Sequence, residues 1–146
     1  MPHTIREVMT PDPASIGPAT TARELIERFE REAVSAFPVV NTDGTLAGIV
    51  TKLDLLRALR SEGPGGAPDL DLLAACRAGD LMRPGVFTLE PDQSLDAAIE
   101  LMVETRLRSL PVVERPRGGA PVLVGMVSQG DVLRALWRSS SMATEL

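Results

Sequence analysis

Two four-residue segments concentrate the chemistry of this chain. Thr51-Lys52-Leu53-Asp54 and Ser128-Gln129-Gly130-Asp131 each set a hydroxyl three residues before a carboxylate, between a β-branched apolar run and a leucine-rich stretch. At a strand-to-helix junction the hydroxyl serves as N-cap for the N3 amide, and an acid at N3 suits the helix dipole; such a cap is worth about 1 kcal/mol. The alternative is that the hydroxyl and the carboxylate bind a ligand. Nothing else in the sequence resembles a catalytic constellation. A nucleophile–base pair needs partners within reach, and the chain has one histidine (His3), one cysteine (Cys76) and one lysine (Lys52) at unrelated places. The sequence therefore reads as that of a non-enzyme with no catalytic cofactor. His3 has no second metal ligand beside it, Cys76 after Ala74-Ala75 reads as a small core residue, and Asp69 and Asp71 read as a helix entry.

The elements that hold these segments occur twice. A shift of 73 residues carries Met9-Thr10-Pro11 onto Met82-Arg83-Pro84, Ile26-Glu27 onto Ile99-Glu100, and Phe37-Pro38-Val39-Val40 onto Leu110-Pro111-Val112-Val113. Beyond that the shift becomes 77: Gly48-Ile49-Val50-Thr51 matches Gly125-Met126-Val127-Ser128, and Leu56-Arg57-Ala58-Leu59 matches Leu133-Arg134-Ala135-Leu136. Local periods then read each copy as strand, helix, strand, strand, helix. Thr21 to Glu24 is a capping-box pattern followed by Ala22, Leu25, Ile26 and Phe29 on one helix face; Ser94 with Leu95, Ala98, Ile99 and Met102 repeats it. Asn41-Thr42-Asp43-Gly44 is a hairpin turn, and the second copy widens it to residues 115–121, where its four extra residues fall at a tolerant loop tip. The organisation expected is repeat 1 at 4–60, a linker with a short helix start at 61–75, repeat 2 at 76–138 and a flexible tail at 139–146.

Composition narrows the function classes. With 15 basic against 20 acidic residues the formal charge is −5, which speaks against a nucleic-acid-binding surface, where clustered Lys and Arg are needed. A lone cysteine closes no intramolecular disulfide and suits a reducing compartment. The start of the chain has no basic, apolar signal-peptide pattern, and no run reaches the roughly 18 apolar residues that span a bilayer. The expectation is a cytoplasmic protein that engages neither membrane nor nucleic acid.

The ordered, duplicated series of Met-x-Pro, amphipathic helix, Pro-Val-Val strand, Gly-Φ-Val-(Thr/Ser)-x-x-Asp turn and Leu-x-Arg-Ala-Leu-type helix resembles a tandem pair of cystathionine-β-synthase (CBS) domains over about residues 4–138. The resemblance implies an α/β (α+β) fold of two pseudo-symmetric β-α-β-β-α units packed sheet to sheet. It also implies two clefts that take adenosyl compounds such as AMP, ADP, ATP or S-adenosylmethionine. In those clefts Asp54 and Asp131 would hold ribose and Thr51 and Ser128 would face phosphate. Val34-Ser35-Ala36 and Leu107-Arg108-Ser109 would read adenine through the backbone, and Ser15 and Thr88 would line the walls. Units that face each other imply mixed sets: Val50, Thr51, Asp54, Thr88, Leu107, Arg108 and Ser109 for one cleft, and Ser15, Val34, Ser35, Ala36, Val127, Ser128 and Asp131 for the other. Lys52 and Arg108 set the first apart, since Gln129 and Ser35 replace them in the second; both cations also read as plain solvated charges. The resemblance further implies a homodimer and an unidentified protein effector. Trp137 is an interface anchor or a core residue. The competing reading is a ligand-free scaffold whose two turns are caps alone.

Overall fold

A computed structural model of the chain describes residues 3–60 and 71–145. Along it run α1 (Ile5–Val8), β1 (Thr10–Pro11), α2 (Ala22–Arg31), β2 (Ala36–Val40), β3 (Leu46–Thr51), α3 (Lys52–Leu59), α4 (Leu72–Ala75), α5 (Ala78–Leu81), α6 (Leu95–Thr105), β4 (Ser109–Glu114), a 3-10 turn (Pro116–Gly118), β5 (Val122–Ser128) and α7 (Gln129–Glu145). The helical spacings become buried faces. Thr21 and Glu24 close the capping box of α2 through two 3.1 Å bonds, and Ala22, Leu25 and Phe29 turn inward. α6 buries Leu95, Ala98 and Met102 in the same way, although the Ser94 side chain makes no capping bond at its N-cap position.

Each repeat also forms its hairpin. β2 pairs antiparallel with β3, placing Phe37 opposite Val50 and Ala36 opposite Thr51; β4 pairs with β5, placing Leu110 opposite Val127 and Ser109 opposite Ser128. Both registers slip at the same point, after Val39 and after Val112. In the first turn Gly44 takes φ 88°, a left-handed conformation that favours glycine. The Thr45 hydroxyl and amide donate to Asp43 Oδ1 at 2.6 and 3.0 Å, and these bonds hold the Asp43 carboxyl below the ordinary aspartate value. A depressed pKa means that this contribution is present above the unfolded aspartate range and is lost as pH falls through the folded value. Asp43→Asn is therefore expected to lose less stability than the parent between pH 5 and pH 2.5, read from urea midpoints.

The first strand predicted for each repeat is corrected to a single parallel bridge, Ile16 to Val39 and Leu89 to Val112. Ile16 and Leu89 donate to the carbonyls of Pro38 and Pro111 at 3.0 and 2.9 Å and accept from Val40 and Val113 at 2.8 Å. Prolines 13, 18, 84 and 91 flank these residues and, lacking an amide proton, leave little room for a longer ladder.

Contacts divide the chain into two units, Ala14–Val86 and Met1–Pro13 with Phe87–Leu146. Each has its own core, one around Leu25, Phe37, Val39 and Val50, the other around Ile5, Leu110, Val112 and Val127. The units cut across the sequence repeats. β1, from the first repeat, pairs with β5 of the second, Thr10 opposite Met126; Arg83, from the second repeat, bridges to Ile49 on β3 of the first. Glycine permits both approaches. A Cβ at Gly48 would lie 2.7 Å from the Arg83 carbonyl oxygen, and one at Gly125 would lie 2.5 Å from Met9 Sδ and 3.1 Å from the Thr10 carbonyl oxygen. Backbone yields less readily than the end of a methionine. Gly48→Ala is thus expected to cost about 1–3 kcal/mol and more than Gly125→Ala, measured by equilibrium denaturation.

Between the repeats, α4 follows Asp71, whose carbonyl accepts from the Ala74 amide at 3.3 Å; Asp69 and residues 61–70 of the expected linker lie outside the described residues. Cys76 is partly buried beside the first core. α7 continues to Glu145 through the stretch expected to be a flexible tail, and at Ser139 it shares a 2.6 Å hydrogen bond with His3, whose ring also lies 3.3 Å from Glu7.

Candidate functional site

The Thr51-x-x-Asp54 turn forms because β3 ends where α3 begins. Thr51 is extended, at φ −108° and ψ 165°, and its hydroxyl accepts from the Asp54 amide at 3.2 Å. In return Asp54 Oδ2 accepts from the Thr51 amide at 2.8 Å and from the Thr51 hydroxyl at 2.9 Å. Asp54 is 8% exposed, the one buried charged residue among those described. Its other oxygen, Oδ1, accepts from Arg83 Nε at 3.1 Å.

The junction of β5 and α7 is built alike. Ser128 Oγ accepts from the Asp131 amide at 3.0 Å, and Asp131 Oδ2 accepts from the Ser128 amide at 2.9 Å. Asp131 Oδ1 accepts from Arg134 Nη1, one turn along the same helix, at 3.2 Å. Both turns are therefore caps, as elementary helix chemistry requires. Yet in each carboxylate only one oxygen serves the backbone, and the other is held by an arginine side chain. Neither arginine stood among the sequence candidates. Arg83 is the middle residue of Met-Arg-Pro, and Arg134 stands three residues after Asp131; the second spacing was a readable signal, the first was not.

The positions of the remaining candidates can be described within each unit. The register puts Ala36 beside Thr51 and Ser109 beside Ser128, so each segment entering a hairpin lies next to the turn leaving it. In the second repeat this contact is direct: the Gln129 amide donates to the Arg108 carbonyl at 2.9 Å, and Gln129 Nε2 donates to the Leu107 carbonyl at 3.1 Å. Val34 and Ser35 precede Ala36 at intermediate exposure, and Ser15 and Thr88 sit immediately before the bridging residues Ile16 and Leu89. Val50 and Val127 are fully buried, so their side chains belong to the cores and only their main chain is available to a ligand. Lys52 is exposed with Nζ 5.9 Å from the Phe29 ring centroid, and Arg108 is exposed.

A family profile described as the CBS domain matches residues 5–61 and again residues 78–138. The chain belongs to the CBS-domain family. Among its relatives, the CBS domain-containing protein CBSX1, chloroplastic, of Arabidopsis thaliana is 31% identical over 91% of this chain and 64% of its own length. The chain thus spans somewhat less than two thirds of that relative. CBS domain-containing protein YhcV of Bacillus subtilis is 27% identical over 88% of this chain and 81% of its own length. Among solved structures, Arabidopsis thaliana CBSX2 in complex with AMP superposes with a TM-score of 0.78 at 27% identity, covering 94% of this chain and 98% of that one. The mixed α/β fold of a CBS pair is therefore the fold of this chain, its two repeats each carrying an intact Thr/Ser-x-x-Asp turn. Among the described residues no helix is long and apolar enough to cross a membrane.

Proposed function

We propose that this CBS pair is a regulatory sensor that binds an adenine nucleotide or another adenosyl compound through its two Thr/Ser-x-x-Asp turns. The observation that carries this reading is the state of the two carboxylates. In each, the outer oxygen is held only by a solvent-accessible arginine side chain, a partner that a polyol can replace or join, while the inner oxygen keeps the turn folded. The likeness to a relative solved with AMP supports it. In this reading Asp54 and Asp131 hold ribose, and Thr51 and Ser128 meet phosphate at helix N-termini. Segments 34–36 and 107–109 read adenine through the main chain, beside Ser15 and Thr88; Lys52 and Arg108 add positive charge for phosphate. The chain acts as a binding module and not as an enzyme, and its lone cysteine fits a reducing, cytoplasmic setting.

The test is a thermal-shift panel of AMP, ADP, ATP, S-adenosylmethionine and NADH. A ligand that selects the folded state at about a hundred times its Kd adds about 2.7 kcal/mol, a rise of several degrees for a chain of this length. No rise with any of the five would overturn the sensor reading in favour of a ligand-free scaffold.

A second copy of the chain is the partner we propose for the apolar helix faces. On α6 and α7 a groove of about 450 Å³ is lined by Ile99, Met102, Val103, Val132, Leu133 and Leu136. Beside it Trp137 is 70% exposed, which suits an interface anchor better than a core residue. The other repeat exposes Ile26, Leu53 and Leu56 on the corresponding helices, α2 and α3. A face present on both repeats suits a self-complementary contact. Leu133→Glu is expected to convert a dimer of twice 15.6 kDa into a 15.6 kDa monomer by light scattering, and an unchanged mass would sink the assignment.

A further inference from the structure

The two turns differ in one respect that composition and periodicity do not reveal. A carboxylate offers roughly four acceptor positions. Asp54 already fills three, with the Thr51 amide, the Thr51 hydroxyl and Arg83 Nε; Asp131 fills two, with the Ser128 amide and Arg134 Nη1. A ribose diol brings two donors. Asp131 can accept both with Arg134 still in place, whereas Asp54 can accept both only after a partner leaves. The Thr51 amide and hydroxyl both donate to Oδ2, whereas Oδ1 is held by Arg83 alone, so at the outer oxygen the partner to leave is Arg83.

Arg83 cannot go far. Its amide donates to the Ile49 carbonyl at 2.9 Å and its carbonyl accepts from the Ile49 amide at 3.2 Å, an approach that Gly48 permits. The guanidinium is about half exposed and stays within side-chain reach of the same turn. Once displaced, it stands beside Asp54 as a cation without its counter-charge. A phosphate on the incoming ligand supplies that charge, whereas an uncharged nucleoside breaks the ion pair and puts nothing in its place. In the other repeat the corresponding residue is Thr10, which carries no charge to satisfy.

From this we infer that Arg83 is a specificity determinant: by exchanging the Asp54 carboxylate for a ligand phosphate, it makes the Asp54 turn selective for phosphorylated adenosine, while the Asp131 turn accepts charged and uncharged adenosyl compounds alike. The inference rests on the ligand-sensing reading above. It differs from a purely structural role for Arg83, because strengthening the α3 cap would affect stability without discriminating between ligands.

The test uses the full chain carrying Asp131→Ala, so that only the Asp54 turn binds, titrated calorimetrically with adenosine and with AMP. AMP is expected to bind about tenfold or more tighter than adenosine. Adding Arg83→Thr, the residue of the other repeat, is expected to weaken AMP, strengthen adenosine and bring the two to within about threefold. Arg83→Gln removes the charge but keeps the length, and should do the same if the threonine variant folds poorly. An AMP-to-adenosine ratio unchanged by both substitutions overturns the inference and leaves the sensing function standing. So does binding that Asp131→Ala abolishes for both ligands. If neither ligand binds the unaltered chain, the sensing reading fails and this inference fails with it.

Discussion

Asp131→Ala is expected to weaken AMP binding at its turn by at least about tenfold while lowering stability by only about 1 kcal/mol. The two effects separate because the carboxylate's two oxygens have different duties. Oδ2 accepts from the Ser128 amide at 2.9 Å and belongs to the cap, whose loss costs about 1 kcal/mol. Oδ1, paired with Arg134 near the surface, is the oxygen open to ribose. Hydrogen bonds to a charged group contribute about 1.5–3 kcal/mol each, and every 1.4 kcal/mol is a factor of ten in Kd. The ion pair with Arg134 adds little to stability, since Arg134 is more than half exposed and Asp131 is 19% exposed. Calorimetric titration and urea unfolding of the same preparation read both quantities. A titration left unchanged, alongside an unchanged one for Asp54→Ala, would refute ribose binding at these turns. Asp54→Ala should weaken binding at least as much but cost more stability, because it also strips Arg83 of its partner and removes a carboxylate that is 8% exposed.

Phe37→Ala carries the largest stability loss expected, about 3–5 kcal/mol. The ring is fully buried, its centroid is 4.7 Å from that of Phe29, and the Arg28 guanidinium lies 5.0 Å above it. It also faces Val50 across the hairpin, one register position from the Ala36–Thr51 pair. Truncation therefore leaves a cavity beneath the strand that ends in the Thr51 turn. Against a domain stability of about 5–15 kcal/mol, roughly a fifth of the total or more is at stake. The substitution should lower the denaturation midpoint and, in the same sample, weaken ligand binding at Asp54 more than at Asp131. The analogous Leu110→Ala, in the other core, should cost about 2–5 kcal/mol with the preference reversed. Equal weakening of both sites would show that the hairpin cores do not position the turns.

What could be read from the sequence was short-range. The Thr21–Glu24 box, the Asn41–Gly44 turn and the Thr/Ser-x-x-Asp caps each need residues only a few positions apart, and the structure forms all of them. Duplication then made every reading double and exposed the family. The pairing of Arg83 with Asp54 was hidden because it depends on where the Met-Arg-Pro segment lies, a matter of long-range strand pairing on which helical and strand periods are silent. The same silence hides how short the first strand of each repeat is, a single bridge at Ile16 and at Leu89 between flanking prolines. The placement of Lys52 Nζ 5.9 Å from the Phe29 ring centroid was likewise beyond the reach of local pattern, since it depends on how α2 packs beside α3.

Because β1 edges the sheet of the later hairpin while Arg83 edges the earlier one, neither half of the polypeptide carries all of its own parts. A chain cut between the repeats would therefore leave each hairpin without the segment that pairs along its edge, unless the severed piece stayed bound.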